Sequence, residues 1–206
     1  MRKLIGFAIA CCLSTVLTAV PGYAKQSPSA GHDAAAPDKT PPSYDMKPQS
    51  LLDLQDMQKK FVSLAQAFPA EKFSWRPSEG IRSVSEIFLH VSSANYGIPN
   101  MMGVATPAGF DGKTYEKSTT DKAKVIAELN KSFESAIASV QAMSNADFNK
   151  PDKKLGPEAN DGDVIYILVV HGHEMLGQAI AYARMNGIVP PWTAEALKKA
   201  ASKTSE

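Results

Sequence analysis

Cysteine is nearly absent from this sequence of 206 residues, and the two that occur, Cys11 and Cys12, are adjacent near the N-terminus. They lie within residues 1–24, which begin with basic residues, continue with an apolar stretch and end with small residues. This order predicts a secretory signal peptide and therefore a periplasmic or secreted protein. A lipoprotein anchor at Cys11 is the less favoured interpretation, because it leaves a very short apolar region. The remaining chain has no thiol, so its core must hold it together without disulfides.

An excess of charge of either sign is also absent. The chain has 22 basic and 21 acidic residues, and removal of residues 1–24, which contain Arg2 and Lys3, leaves 20 basic and 21 acidic residues. Without a basic patch we expect no binding to nucleic acid. The longest apolar run outside the N-terminus is interrupted by His171, His173 and Glu174. We therefore expect no membrane span in the exported protein.

Strand-like alternation of polar and apolar residues is missing over any useful length, whereas helical periodicity recurs. Apolar residues at spacings of three and four predict helices over residues 49–68, from Ser83 to about Asn95, over 121–143, and from Asp163 to Asn186. The connections after the second and third helices are too long for a tight up-down bundle. The sequence thus predicts an all-α fold, a four-helix bundle with long crossover connections.

Composition divides the chain into four parts. After the signal peptide, residues 25–44 are rich in Pro, Ala and Ser and contain almost no large apolar residue, which predicts a flexible linker. The bundle then occupies residues 45–194, and residues 195–206 form a polar C-terminal tail. We expect His32, which lies in the linker, to have no function.

Helix boundaries are predicted from capping residues and prolines. Ser83 and Glu86, three residues apart before an apolar run, form a capping box at the start of the second helix. The first helix is expected to begin after Pro48, near the capping residue Ser50. Helix ends are predicted by glycines and prolines. These are Gly97 and Pro99 soon after the second helix, and Gly187, Pro190 and Pro191 after the last, where no helix is expected to resume.

Candidate metal ligands occur on two of the predicted helices. His90 lies on the second helix, and His171 and His173 lie on the last. Each residue of a helix advances by about 100°, so residues two apart point in nearly opposite directions and residues four apart share a face. His171 and His173 therefore cannot hold one metal ion together without distorting the helix. The donors that can accompany His171 are His90, Met175 and Glu174.

Each of these residues also has a simpler interpretation on spacing alone. An isolated histidine on the inner face of a bundle, such as His90 or His171, is usually a hydrogen-bonded core residue. Met175 is more often a core residue than a ligand, and Glu174 is ordinarily a solvated charge.

Two segments resemble a known family. They are WRPSEGIRSVSEIFLHV at residues 75–91 and HGHEMLGQAIAYARMNGIVPPW at residues 171–192, and together they are similar to the DinB-like superfamily, in particular to its YfiT-type metalloenzymes. The resemblance extends over about residues 49–192. It implies a four-helix bundle, often a homodimer, with a divalent metal ion such as zinc or nickel on three histidines. Some members of the family act as thiol-dependent transferases or isomerases.

The resemblance assigns positions to the ligands in this chain. His90 matches the ligand on the second helix, and His171 matches the first histidine of a late pair spaced four apart. Met175 stands where the second histidine of that pair is expected, and a thioether is a weak donor to zinc or nickel. Three outcomes stay open: Glu174 completes the site, a softer metal such as copper accepts Met175, or the site is empty. His173 substitutes only if the helix is locally distorted.

These observations lead to two functional hypotheses. The first is an exported bundle with an altered divalent-metal site, acting as a metal-dependent hydrolase or thiol transferase on a small-molecule substrate. Glu174 is its nearest candidate for a general base. The second is a non-catalytic bundle that binds a small ligand or a protein and whose metal site is degenerate.

Overall fold

Five α-helices form within residues 45–203, which are the residues that the computed structural model describes. The predicted signal peptide and linker lie outside this range. The helices are α1 (Met46–Ala67), α2 (Val84–Met101), α3 (Lys122–Ala142), α4 (Asp161–Met185) and α5 (Pro191–Lys203). Short 3-10 turns lie at Ala70–Lys72, Tyr115–Lys117 and Asp147–Asn149. No strand forms in the described range apart from one isolated bridge, so the all-α prediction is confirmed.

Helices α1 and α3 pack side by side in opposite directions. Lys47, at the start of α1, donates through Nζ to the carbonyl oxygen of Gln141 near the end of α3, at 2.9 Å. Lys122, at the start of α3, donates through Nζ to the carbonyl oxygen of Phe68 just after α1, at 2.6 Å. Each lysine therefore joins the beginning of one helix to the free carbonyl groups that end the other, where a positive charge is favourable.

Helices α2 and α4 form the second antiparallel pair. The hydroxyl group of Tyr182 near the end of α4 donates to the carbonyl oxygen of Arg82 just before α2, at 2.9 Å. Helix α4 runs parallel to α1, since Met46 lies beside Gly162 and Met57 lies beside Gly172. The order of directions is thus up, down, down, up, and the connection from α2 to α3 must cross the length of the bundle.

A cluster of aromatic rings fills the centre of the bundle. Phe61 from α1, Phe88 from α2 and Phe133 from α3 are almost completely buried, and their rings are 5.7–6.4 Å apart in the pairs that Phe61 makes. Burying a side chain of this kind contributes roughly 1.5–3 kcal/mol. Because Phe88 is fixed in this cluster, the rotation of α2 is fixed, and His90 comes to the boundary between α2 and α4.

The capping box predicted for α2 is confirmed, whereas the start predicted for α1 is wrong. Ser83 and Glu86 make both hydrogen bonds of the box. Helix α1 begins at Met46, capped by Asp45, and Ser50 is a buried residue within the helix. Pro48 lies in the first turn of α1, where the backbone amide that proline lacks has no partner within the helix.

The predicted end of α2 near Asn95 is also wrong, because the helix continues to Met101 and contains Gly97 and Pro99. Pro99 is in the last turn and is buried. A proline there removes a single helical hydrogen bond shortly before the helix ends, and its ring packs in the core, so the helix tolerates it.

A helix follows Pro190, contrary to the prediction that none would resume. Helix α4 ends at Met185, and Gly187 beyond its cap has a φ of 72°, the left-handed conformation expected there. Pro191 then occupies the first position of α5, a position that proline favours because its φ is already helical. Helix α5 packs against α1, with Trp192 partly buried against the core.

Helix α4 is, within residues 45–203, the helix whose length and apolar composition would suffice to cross a membrane. A core helix of a bundle meets the same criteria. Here α4 packs against α1 and α2 and carries His171 and Glu174 near its middle.

Two glycines of α4 provide a test of the packing at its start. A Cβ atom at Gly162 would lie 2.9 Å from the backbone oxygen of Phe148 and 2.9 Å from Oδ1 of Asn160, whereas one at Gly177 would meet no atom within 4 Å. We expect Gly162→Ala to lower the free energy of unfolding by about 1–3 kcal/mol through overpacking. We expect Gly177→Ala to raise it by about 0.4–1 kcal/mol, because alanine restricts the unfolded chain. Urea unfolding measures both changes, and an unchanged or stabilised Gly162→Ala protein would contradict the close approach.

Candidate functional site

Two imidazole rings meet where α2 packs on α4. The Nε2 atoms of His90 and His171 are 3.2 Å apart, and the ring centroids are 5.2 Å apart with planes tilted by 55°. In the absence of a metal ion, one Nε2 atom carries a proton and donates a hydrogen bond, and the other Nε2 atom accepts that hydrogen bond through its lone pair. Two nitrogens that each bind a tetrahedral zinc ion at 2.0–2.1 Å would be about 3.3 Å apart. The observed spacing therefore suits either a hydrogen-bonded pair or two ligands of one metal ion.

The close approach of α4 to α1 helps to turn His171 toward α2. A Cβ atom at Gly172, the next residue, would come within 2.5 Å of Sδ of Met57 on α1. A residue without a side chain is thus needed for the methionine to lie in its present position against α4. Gly172 faces α1, and the side chain of His171 is presented to the neighbouring helix α2.

A carboxylate from the α2–α3 connection binds the far side of the His90 ring. Oε2 of Glu116, in the 3-10 turn Tyr115–Lys117, is 3.0 Å from Nδ1 of His90 and 2.9 Å from Nε of Arg82. Glu116 can accept hydrogen bonds from both groups, which places the His90 proton on Nδ1 and leaves its Nε2 lone pair directed at His171. The same carboxylate–histidine arrangement orients metal-binding imidazoles in many proteins.

Burial lowers the pKa of both imidazoles below the ordinary value. For His90, burial is the largest cause and the positive charge of Arg82 adds to it, while Glu116 and Glu174 act in the opposite direction. For His171, burial is again the largest cause, followed by the charge of His90, and Glu174 opposes both. Both rings are therefore neutral at pH 7, so each has a nitrogen lone pair available for a proton or a metal ion.

The other predicted site residues lie in different surroundings. Met175 is only 3% exposed and belongs to the hydrophobic core. Glu174 is exposed on α4, and its charge acts on both imidazoles. His173 points to α1, where its Nε2 atom is 3.7 Å from Oδ1 of Asp53, and 49% of its side chain is exposed. The helical spacing predicts this separation of His173 from His171.

Among the residues that the structure describes, no third histidine, cysteine, aspartate or glutamate completes the pair. Within residues 45–203, no group of three or more of these side chains is arranged so that it could hold a metal ion. The structure thus brings His90 and His171 together, and Glu174 is the charged residue among the other predicted donors, with an electrostatic effect on both rings.

Two residues of the site, Glu116 and Arg82, were not predicted from the sequence. Glu116 lies in a connection without periodicity, so nothing in its neighbourhood indicates that it reaches α2. Arg82 immediately precedes the capping residue Ser83, a position that suggests no function by itself. The side chain of Arg82 binds Glu116, and its carbonyl oxygen accepts a hydrogen bond from the Tyr182 hydroxyl group. These long-range contacts depend on how the helices pack.

Comparison with known proteins identifies a family to which the chain belongs and a solved structure with a similar fold. The family model of the DinB superfamily matches residues 53–179, which is more than half of the chain. The crystal structure of a DinB-like protein from Bacillus cereus ATCC 10987 has a TM-score of 0.60 and 14% sequence identity, covering 69% of this chain and 93% of that one. At this identity the similarity shows the fold alone. No curated protein is significantly similar to the chain.

The lowered pKa values predict a loss of stability in acid. The unfolded chain binds protons below about pH 6.5, the ordinary pKa of histidine, while the folded state resists protonation until a lower pH. The free energy of unfolding should therefore fall as the pH drops below that value, and this contribution vanishes above it. We expect His171→Gln to reduce the fall between pH 7 and pH 5. Urea unfolding at several pH values tests this, and an equal pH dependence in His171→Gln and in the unsubstituted protein would contradict it.

Proposed function

The chain belongs to the DinB superfamily, and from its paired imidazoles we propose that it is a small-molecule enzyme, a hydrolase or thiol transferase, whose site binds a divalent metal ion through His90 and His171. The observation that carries the proposal is the 3.2 Å separation of their Nε2 atoms. It is close to the spacing of about 3.3 Å expected for two nitrogen ligands of one tetrahedral ion.

The chemistry of the donor set agrees with zinc or nickel. Both imidazoles are neutral at pH 7, and imidazole nitrogen is a common ligand of both metals. Glu116 supplies the outer hydrogen bond that such a ligand usually has. The residues fit two coordination positions, and Glu174 is our candidate for a third, because its negative charge already acts on both rings. We expect a weaker site than one with three histidines.

Different residues of the chain would hold the metal ion, orient its histidine ligands and bind the substrate. His90 and His171 would hold the divalent ion, which when bound would supply a Lewis acid for water, a thiol or a polar substrate group. Glu116 holds the proton of His90 on Nδ1 and so keeps Nε2 free, and Arg82 holds Glu116 in place. The side chain of Arg82 is 40% exposed, so its guanidinium group can also attract an anionic part of a substrate. Glu174 can either bind the ion or accept a proton from the substrate, but the same carboxylate does not do both.

One observation favours the alternative, a non-catalytic bundle that binds a small ligand or a protein. Met175 lies in the core at the position where the family resemblance predicts the third histidine. If neither zinc nor nickel binds, the histidines are a hydrogen-bonded pair and this alternative stands.

Metal binding by matched variants tests the proposal. We expect the purified protein to bind one Zn²⁺ or Ni²⁺ ion per chain in isothermal titration and to unfold at a higher temperature with the ion in excess, since a ligand of the native state stabilises it. His90→Ala should abolish binding, and Glu116→Gln should weaken it by about 10–100-fold. His173→Ala is the control and should bind normally, because its ring faces α1.

Two outcomes of this experiment would contradict the proposed site. One is the absence of binding at millimolar metal, and the other is an equal loss in His90→Ala and His173→Ala. Met175→His adds an imidazole four residues after His171, on the same face of α4. It should tighten binding at least tenfold, about 1.4 kcal/mol; no gain would show that position 175 does not match the third ligand.

Export and a homodimer complete the proposal. Export is supported by the basic, apolar and small-residue order of residues 1–24, and the homodimer by the family resemblance. We expect protein recovered from the periplasm or medium to begin near Lys25 and to have the mass of two chains by light scattering. A chain that keeps Met1 and stays in the cytoplasm would contradict export, and a monomer at micromolar concentration would contradict the dimer.

A further inference from the structure

A cavity that is open to solvent lies beside α3, and neither His90 nor His171 lines it. It is bounded by the α2–α3 connection and by the first half of α3, and its volume is about 460 Å³. We call it the α3 cavity; Pro107, Phe110, Tyr115, Lys124, Glu128 and Lys131 are among the residues that line it. Its volume is within the range of roughly 300–1,000 Å³ that is typical of sites for small molecules.

One wall of the α3 cavity is aromatic. The rings of Phe110 and Tyr115 have their centroids 5.1 Å apart, and Tyr96 packs edge-on against both, at 5.6 Å and 6.1 Å. Tyr96 is buried, so these three rings support one another from the core outward. A flat apolar group can stack on such a wall, because offset and edge contacts between rings are favourable.

The α3 side of the cavity carries two lysines and one glutamate. Lys124, Glu128 and Lys131 are four and three residues apart on α3, so they lie on one face. The Glu128 carboxylate accepts a hydrogen bond from the Tyr115 hydroxyl group. Among residues 45–203, neither lysine ammonium group takes part in an ion pair. The two lysines and the Glu128 carboxylate together give this side of the cavity a net charge of +1.

We propose that the α3 cavity binds a small organic anion with a flat apolar body. The body stacks on Phe110 and Tyr115, and the carboxylate or similar anionic group pairs with Lys124 and Lys131. An apolar pocket with a few convergent charged groups selects ligands in this way, the apolar wall giving affinity and the charges giving orientation. This site requires no metal ion. Tyr115 precedes Glu116 in the same 3-10 turn, so the turn contributes to both sites.

A pair of isosteric probes separates the two contributions. We expect 2-naphthoate to bind saturably at one site in NMR titrations, and the neutral 2-naphthamide to bind at least tenfold more weakly. EDTA in all samples prevents binding of the carboxylate to a metal ion. The double variant Lys124→Gln, Lys131→Gln should weaken naphthoate at least tenfold and leave the amide unchanged. Lys198→Gln with Lys199→Gln, on exposed α5, is the charge-matched control and should have no effect.

Filling the cavity provides an independent test. Ala127 lines the α3 cavity, and Ala138 is an exposed residue of the same helix outside it. Ala127→Trp should abolish naphthoate binding, and Ala138→Trp should retain it. The proposal is overturned if naphthoate shows no saturable binding at millimolar concentration, if both probes bind equally, or if Ala127→Trp binds normally. Should that variant not fold, the exposed lysine variants still decide the outcome.

Discussion

The contact between α2 and α4 is the interaction on which the chemistry of this bundle depends. It brings His90 and His171 within 3.2 Å at a place that is partly shielded from water. Burial of two imidazoles is unfavourable unless their nitrogens have partners. Each ring here is a partner for the other, and Glu116 satisfies the outer nitrogen of His90. The polar pair is thus compatible with a core that is otherwise built from phenylalanine and aliphatic side chains.

The α2–α3 connection is fixed to the bundle through the same contact. Glu116 bridges Arg82 and His90, which anchors the 3-10 turn to the start and middle of α2. The preceding residue, Tyr115, turns the other way, into the aromatic cluster beside α3. Neighbouring residues of one turn therefore serve the histidine pair and the α3 cavity, and a displacement of the turn would alter both places at once.

Most of the fold could be predicted from periodicity, since apolar spacing depends only on neighbouring residues. The exceptions involve prolines in the first or last turn of a helix, where the lost hydrogen bond is small or absent. Pro48 and Pro191 are at helix starts and Pro99 is near a helix end. Proline breaks a helix in its interior, and sequence alone does not show which position a given proline will occupy.

The site was predictable only in part, for a different physical reason. Helical spacing separates His171 from His173, and the family resemblance pairs His171 with His90, but spacing alone could not join residues on different helices. Glu116 and Arg82 are brought to the site by tertiary packing and have no local signal. A polar residue in an irregular connection looks the same in sequence whether it is solvated or bound to a histidine.

The residue at position 175, a methionine, determines whether the folded state requires a metal ion. A histidine at this position, 3% exposed, would bury a ring nitrogen, and leaving that nitrogen without a partner would cost about 1–3 kcal/mol. A fold with such a residue depends on a metal ion or a hydrogen bond to satisfy it. Methionine has no such requirement and adds an adaptable apolar side chain to the core. The bundle is therefore complete without an ion, and an ion held by His90 and His171 would be exchangeable with solvent rather than part of the fold.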